Sequence, residues 1–516
     1  MHTHLRRLLG LVLLGVMVTW GGSALRAQTP TRTWTSADGQ RTLEAEFLEF
    51  KDQKVRLRKS DGKDVSLSLA ALSPEDREFV RTETQRRRDT TFAAAPAKIT
   101  KGAAAPAKTT KGGAAVGEWP RWRGPNIDGK SQETGLLQEW PEQGPPLVWQ
   151  VEGLGTGFGG PAVTGGKIFV MGRRDRQDCI IAMNARDGSI LWSAPAGPGS
   201  RERGPNCTPT VDGNLVYGIT IDGDLLCAQV ATGQEVWRKS FAKDFGGKMM
   251  SGWGYSESPL VDGNLLICTP GGERAMLAAM DKRTGKVAWT TPMPYGGRHG
   301  QDGAGYSSIV ISQAAGVKQY VTLVGRGVIG VAADNGRLLW HYERVTNGTA
   351  AIPTCIVSGD YVFCSSGYGD GGTALLKLSG GRGGVEAKEV YYKPANDVQN
   401  HHGGMILLDD YIYMGNKHNE GFPLCLNMKT GEDAWRPGRG PGGGSAAVAY
   451  ADGNLYFRYQ NGIMALIEAT PQKYNLKSSF KLPSVRAESW PHPVIAGGKL
   501  YLRDQEVLMC FDIKAK

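Results

Sequence analysis

No two cysteines in this chain are adjacent, and none form a Cys-x-x-Cys pair. A vicinal disulfide, a dithiol redox loop, a zinc ribbon and a Cys-x-x-Cys-His haem attachment site are therefore all excluded. The eight cysteines begin at Cys179 and are dispersed beyond it. Cys227 and Cys425 fall where Ala182 and Ala279 stand in neighbouring copies of a repeat, which is how a small buried core residue behaves. A bond between Cys355 and Cys364 across one hairpin is left open by the sequence. Long apolar runs are also scarce. After Leu8 to Trp20 no stretch approaches the roughly 20 residues a spanning helix needs. There is no nucleophile elbow and no Ser/His/Asp triad pattern. The glycine-rich runs at 155–160, 295–298 and 438–444 lack the Lys-Ser/Thr and the strand-to-helix setting of a phosphate loop.

A basic face on the folded part is missing too. The net charge is +10, but Arg6, Arg7 and Arg26 lie in the leader. Residues 81–117 hold eight Lys/Arg against Glu83 and Asp89. What remains is close to neutral, so nucleic acid is not an expected partner.

The N-terminus has the form of a secretory signal over residues 1–27. Arg6 and Arg7 precede the apolar run, and small residues follow, with cleavage after Ala24 or Ala27. No cysteine follows for lipidation. The expectation is a periplasmic or secreted protein without a transmembrane segment. Residues 83–117 are a linker containing the near-copies APAKITKG and APAKTTKG. That composition cannot build a core, and its charge leaves it free to touch anionic envelope surfaces.

What the chain has in abundance is one unit, repeated eight times from Gly159 onward with a period of about 45 to 50 residues. Each copy holds a short apolar strand, a Gly turn, two further strands and a Gly-x-x-x-Trp step. Thr208 to Trp237 and Ser258 to Trp289 are the clearest. All strands and turns at this period predict an all-β, eight-bladed propeller over residues 118–516 with four strands per blade. First strands are expected near Gly160, Cys207, Glu257, Tyr306, Ala351, His402, Gly444 and Trp490. Between Trp340 and Trp435 one copy has lost its Trp, and Tyr391 or Tyr392 is expected in its place. The last copy stops after three strands, so Leu147 to Val151 should supply its fourth and close the ring.

Residues 30–82 form a separate small unit. Two Asp-Gly turns sit between strand-like halves. Ser73, Pro74 and Asp76 mark a closing helix start. Five or so strands in this length predict a small SH3-like β-barrel. Arg32-x-Trp34-Thr35, the Asp-Gly turns, Val55-x-Leu57 and Leu72-Ser73-x-x-Asp76 resemble the SLA homology domain 1 family. That resemblance implies a module that binds short peptide motifs, and so a protein partner and an adaptor role.

Glu118 to Gly129 (EWPRWRGPNIDG), the repeated Gly-x-x-x-Trp step and Trp490 to Ile513 closely resemble PQQ-binding-like propeller repeat proteins. The superfamily holds quinoprotein dehydrogenases, which use pyrroloquinoline quinone with calcium, and BamB-like non-catalytic scaffolds. The resemblance implies fold more than activity. The adjacent cysteines and haem site of many quinoprotein dehydrogenases are missing.

Loops entering the first strands must all emerge on one face around the central channel. They carry Arg201, Arg203 and Asn206; Trp253, Tyr255 and Glu257; Arg298, His299, Gln301 and Asp302; Asn400, His401 and His402; and Trp490 and His492. Four of the eight histidines lie there. A funnel of His, Arg, Glu, Asp and Trp is the candidate ligand site. His402 and His492 with Glu257 or Asp302 make a candidate metal set, although their spacing is no motif. The same side chains could instead hydrogen-bond loop to loop and cap the channel. The leading expectation is an exported, non-catalytic scaffold that binds other proteins through its propeller loops and the tethered SH3-like module, with no cofactor. The alternatives are a dehydrogenase dependent on PQQ and calcium, and a polysaccharide-binding propeller.

Overall fold

The computed structural model describes residues 31–51, 54–77, 79–80, 83, 117–199, 203–295, 300–381 and 384–515. The expected signal, nearly all of the linker, and Arg201, Arg298 and His299 lie outside the described residues. The chain divides into two compact units, Met1–Thr109 and Thr110–Lys516. Among the described residues no helix is long and apolar enough to cross a membrane.

In the first unit, β1 (Arg32–Thr35), β2 (Thr42–Lys51), β3 (Lys54–Lys59) and β4 (Asp64–Ser68) form one antiparallel meander. Both Asp-Gly turns are where the sequence puts them, with Gly39 and Gly62 at φ 72° and 80°, a region that penalises a side chain. β3 alternates, and it buries Val55 and Leu57 against Trp34 and Phe47. Four strands are present in place of the expected five or so. Leu69-Ala70-Ala71 favours helical over extended backbone and makes a 3₁₀ turn that buries Leu69. Ser73 caps the next helical residues, accepting the Asp76 amide at 3.2 Å. Asp76 is itself buried and ties the unit together. It accepts from Arg32 at 2.7 Å and from the Thr35 amide at 2.6 Å.

The described residues of the second unit form a succession of eight four-stranded antiparallel sheets. The first comprises Ala162–Thr164, Lys167–Arg174, Gln177–Asn184 and Ile190–Pro198. The innermost strands of the others are Thr210–Asp212, Leu260–Asp262, Val310–Ser312, Ile356–Ser358, Met405–Leu408, Ala446–Ala451 and Val494–Ala496, each just after an expected start. Leu147–Val151 (β5) is the outer strand of the eighth sheet, with Trp149 opposite Cys510. The N-terminal strand therefore completes the last sheet, as the truncated final repeat requires.

The Gly-x-x-x-Trp step is an inter-sheet joint. The Trp192 indole donates to Val230 O of the next sheet at 3.2 Å, and Trp237 donates to Lys282 O at 3.1 Å. The repeat glycine of that next sheet lies flat on the ring. A Cβ on Gly233 would stand 2.6 Å from Trp192, and one on Gly336 2.4 Å from Trp289. Where the Trp is lost, Tyr391 takes the role and donates to Met428 O at 2.7 Å with Gly431 against its ring. Tyr392 bonds Gly371 within its own sheet.

Buried polar groups lock the closure. Arg503, wholly buried, donates to the carbonyls of Gln505 (2.8 Å), Gly159 (3.1 Å), Gly155 (3.2 Å) and Met171. It thereby fastens the eighth sheet to the first. Arg458 of the seventh sheet donates to Pro491 O at 2.8 Å and to Arg503 O, with Asp504 at 3.7 Å. All eight cysteines are buried free thiols, Cys355 and Cys364 included. Burial pushes the Cys355 thiol up to about 12, so it is unreactive as a nucleophile.

Candidate functional site

The channel is crossed by the chain itself. Trp119 pairs with Val163 of the first sheet, and Pro120 O accepts the Val211 amide of the second. Arg121 reaches Val261 O of the third at 3.2 Å. The segment continues to the far wall. Lys130 donates to Leu407 O at 3.2 Å, and Gly129 and Ser131 bond Tyr450. The conformation is tight, with Arg123 and Ile127 at φ 57° and 59°. Trp122 stands on one side of this crossing, its indole donating to Thr354 Oγ1 at 3.3 Å and its ring 4.3 Å from His492.

Above Trp122 opens a cavity of about 420 Å³. Of the expected residues, Arg203, Asn206, Trp253, His401, His402, Trp490 and His492 line it. Aromatic faces dominate. Trp490 lies between His402 (4.4 Å) and Phe158 (4.8 Å), and its indole is oriented by Gln460 Oε1 at 2.9 Å. Arg203 sits over Trp253 at 4.5 Å, a cation–π contact. Asn206 bridges loops by donating to Ser256 Oγ at 3.0 Å.

The imidazoles form a stack. His401 and His402 are 3.9 Å apart, and His418 is 4.3 Å from His401. Tyr368, at φ 68°, meets His401 edge-on, with its hydroxyl 3.2 Å from Nε2. His401 Nδ1 lies 2.6 Å from Ser445 Oγ. Burial holds His401 down to about 3, with His418 adding to it. His492 is held at about 3 by burial and then by the Arg123 guanidinium, and burial keeps His402 well below its ordinary value. All three imidazoles are neutral at physiological pH. The Nδ1 atoms of His402 and His492 are buried without a hydrogen-bond partner among the described residues. Such groups are costly unless something meets them.

Five of the expected residues do not line the cavity. Asp302 is held on the surface by Arg326 at 2.7 Å and Lys248 at 3.7 Å, and that guanidinium keeps its carboxyl below the usual range. Glu257 is buried behind the wall, accepting the Thr269 amide at 2.5 Å. Burial raises it to about 7. The expected metal set of His402 and His492 with either acid therefore does not assemble. Among the described residues no three His, Cys, Asp or Glu side chains are grouped to hold a metal. Gln301, Tyr255 and Asn400 do not line the cavity. Tyr255 donates to Pro270 O at 2.8 Å, and Asn400 donates to Gly415 O at 2.9 Å.

Trp122, Phe158, Tyr368, His418, Gln460 and Glu488 were not singled out from the sequence, although Phe158 and Glu488 lie in first-strand loops. Trp122 was legible only as part of a family segment. Tyr368, His418 and Gln460 follow second strands, and the repeat pattern gives the same face to those loops as well.

Comparison with known proteins fits this architecture. A family model described as SLA1 homology domain 1 matches residues 26–88. A stretch of 69 residues is 39% identical to a 1-butanol dehydrogenase (cytochrome c) of Thauera butanivorans, covering 13% of this chain and 10% of that protein. The chain thus spans a tenth of the length of that curated relative. The structure of BamB from Moraxella catarrhalis superposes with a TM-score of 0.50 at 14% identity, over 72% of this chain and 98% of that one. A quinohemoprotein alcohol dehydrogenase from Comamonas testosteroni gives 0.54 at 14% identity, over 78% and 82%. At such identities the likeness is one of fold. The model described as outer membrane protein assembly factor BamB matches residues 141–225 and 177–437, more than half of the sequence, so the chain belongs to that family of propeller repeat proteins.

Proposed function

We propose that this is an exported, non-catalytic binding protein. Its channel mouth takes a ring-bearing ligand or partner side chain, and its SLA1-type module engages a second protein. The observation that carries the reading is the composition of the mouth. Trp122, Trp253, Trp490, Phe158 and Tyr368 offer faces for stacking, beside neutral imidazoles and the amides of Asn206, Asn419 and Gln460. Such a surface recognises rings and hydrogen-bonding edges. Glu488 is its one carboxylate and Arg203 its one guanidinium among the described lining residues.

A second reading, a quinone-dependent dehydrogenase, is favoured by the match to the butanol dehydrogenase and by the aromatic walls. The fit is partial. The walls suit a planar tricyclic quinone, and Arg203 suits one of its carboxylates. Calcium or a lanthanide wants six or more oxygen donors, several of them anionic, and the mouth offers a single carboxylate among the described residues. The donor set does not fit the cation.

The deciding experiment is calorimetric titration of the mature protein with PQQ alone, with PQQ plus calcium or a lanthanide, and with soluble envelope oligosaccharides, beside an alcohol-dependent dye-reduction assay. The expected results are ring-ligand binding lost in Trp490→Ala, no gain in quinone affinity from the cation, and no turnover. Cation-dependent PQQ binding with dye reduction would replace this reading by the second.

A further inference from the structure

The crossing segment divides the channel and so makes a second cavity on its other side, of about 390 Å³. Its walls differ in kind from the mouth. Arg121, Arg123 and Lys130 face it from the crossing segment, and the inner strands contribute Leu260, Ile356 and Met405.

Arg123 is 4% exposed. One of its nitrogens, Nη2, donates to Asp128 O at 3.1 Å and to Met405 O. Its Nε and Nη1 have no hydrogen-bond partner among the described residues, and neither does Arg121 Nε. A buried guanidinium with two unmet donors is a charge without its counterpart, and that is costly unless an anion supplies it. The cavity's own carboxylate, Asp128, lies 3.4 Å from Lys130. Asp212 and Asp262, the acids outside it whose charge acts on Arg121, are already engaged, with Lys282 at 2.5 Å and with Lys318 at 2.6 Å respectively. Three cations thus face one lining carboxylate. Burial lowers Arg123 only to about 10, so it stays charged at neutral pH.

We propose that this second cavity binds a small amphipathic anion: an oxyanion head, carboxylate or phosphate, on the Arg123 and Arg121 guanidinia, and an apolar body against Leu260, Ile356 and Met405. Guanidinium donors in a fork match both heads bidentately. The apolar wall selects against bare inorganic ions. This site is separate from the channel mouth, and the proposal does not depend on what binds there.

The test is calorimetric titration of the full chain at low salt with octanoate, octyl phosphate and uncharged octanamide. Both anions are expected to bind about tenfold or more tightly than octanamide, since a desolvated charge pair contributes more than the neutral contact. The tighter of the two names the head group. Arg123→Gln removes bonds that hold the crossing segment, so its failure to fold would be uninformative alone. The double substitution Arg121→Gln with Lys130→Gln, at partly exposed positions, carries the test, with folding checked by near-UV circular dichroism. It should cut the preference for the anions several-fold, since only Arg123 is left to hold the head, and leave a channel-mouth ligand bound as before. Equal binding of octanoate and octanamide, no saturation by millimolar concentration, or an unchanged preference in the folded double variant would overturn the proposal.

Discussion

The buried imidazoles of the mouth make the propeller acid-labile in a calculable way. His401 and His492 hold their protons only below about 3, and His402 is likewise depressed by burial. In the unfolded chain all three titrate near 6.5. Below that pH the unfolded state takes up protons that the folded state refuses, so stability falls as pH falls. Glu257 opposes the trend. Raised to about 7 by burial, it carries a proton in the folded state that an unfolded glutamic acid has lost by about pH 5. Its contribution therefore declines as pH rises from the unfolded value toward 7. Near pH 5.5 the unfolded state holds nearly three extra protons at the imidazoles and lacks about one at Glu257. At about 1.4 kcal/mol per proton and pH unit, the slope is about 2.5 kcal/mol per unit, or about 3 kcal/mol between pH 6.5 and 5. Urea midpoints at half-unit steps would measure it. Glu257→Gln should steepen the slope by about 1 kcal/mol per unit, because the opposing proton is gone. A profile flat to within about 1 kcal/mol across that range, or imidazole resonances titrating near 6.5, would show that these side chains are not buried as described.

Arg503→Met should cost about 3–5 kcal/mol, since four carbonyls from the first and eighth sheets lose their shared donor; equilibrium unfolding reads it, and a loss under about 1 kcal/mol would mean the ring closes without the clamp. Gly336→Ala, with φ +75° and its new Cβ 2.4 Å from Trp289, should destabilise by about 2 kcal/mol or more from backbone strain and overpacking, whereas Gly263→Ala, at φ +59° in open space, should show the strain of about 1–2 kcal/mol alone. In the isolated small module, Asp76→Asn should weaken folding by about 1–3 kcal/mol by discharging the buried acceptor of Arg32 and the Thr35 amide; thermal melts check it.

The fold was legible because the repeat writes one physical joint many times over. A glycine that must be bare against the previous aromatic ring, and a large ring whose N–H reaches the next sheet at Trp192, Trp237 and Trp435, leave a signature at fixed spacing. Even its breakdown was readable, since Tyr391 keeps a ring and a donor where the indole is lost. The missing outer strand of the last sheet forced Leu147–Val151 into place by the same logic. The site was legible only in part, because the repeat says which loops share a face and nothing about which side chains reach the axis. Asp302 found Arg326 and Lys248, and Glu257 turned back to its own sheet's amide at Thr269. The crossing segment was invisible to periodicity, being used once. Yet it decides the channel's chemistry: Trp122 makes the floor of an aromatic mouth whose one carboxylate and one guanidinium balance, and Arg121 and Arg123 the ceiling of a cationic one. Three consecutive residues thus point opposite ways across a strained backbone, and strain of about 1–3 kcal/mol per such residue persists where the surrounding structure over-determines it. The carbonyls of Val261, Met405 and Leu407 do so here. A single irregular stretch therefore gives one symmetric scaffold two unlike ends, and it is there, more than in the blades, that the function of this propeller should be sought.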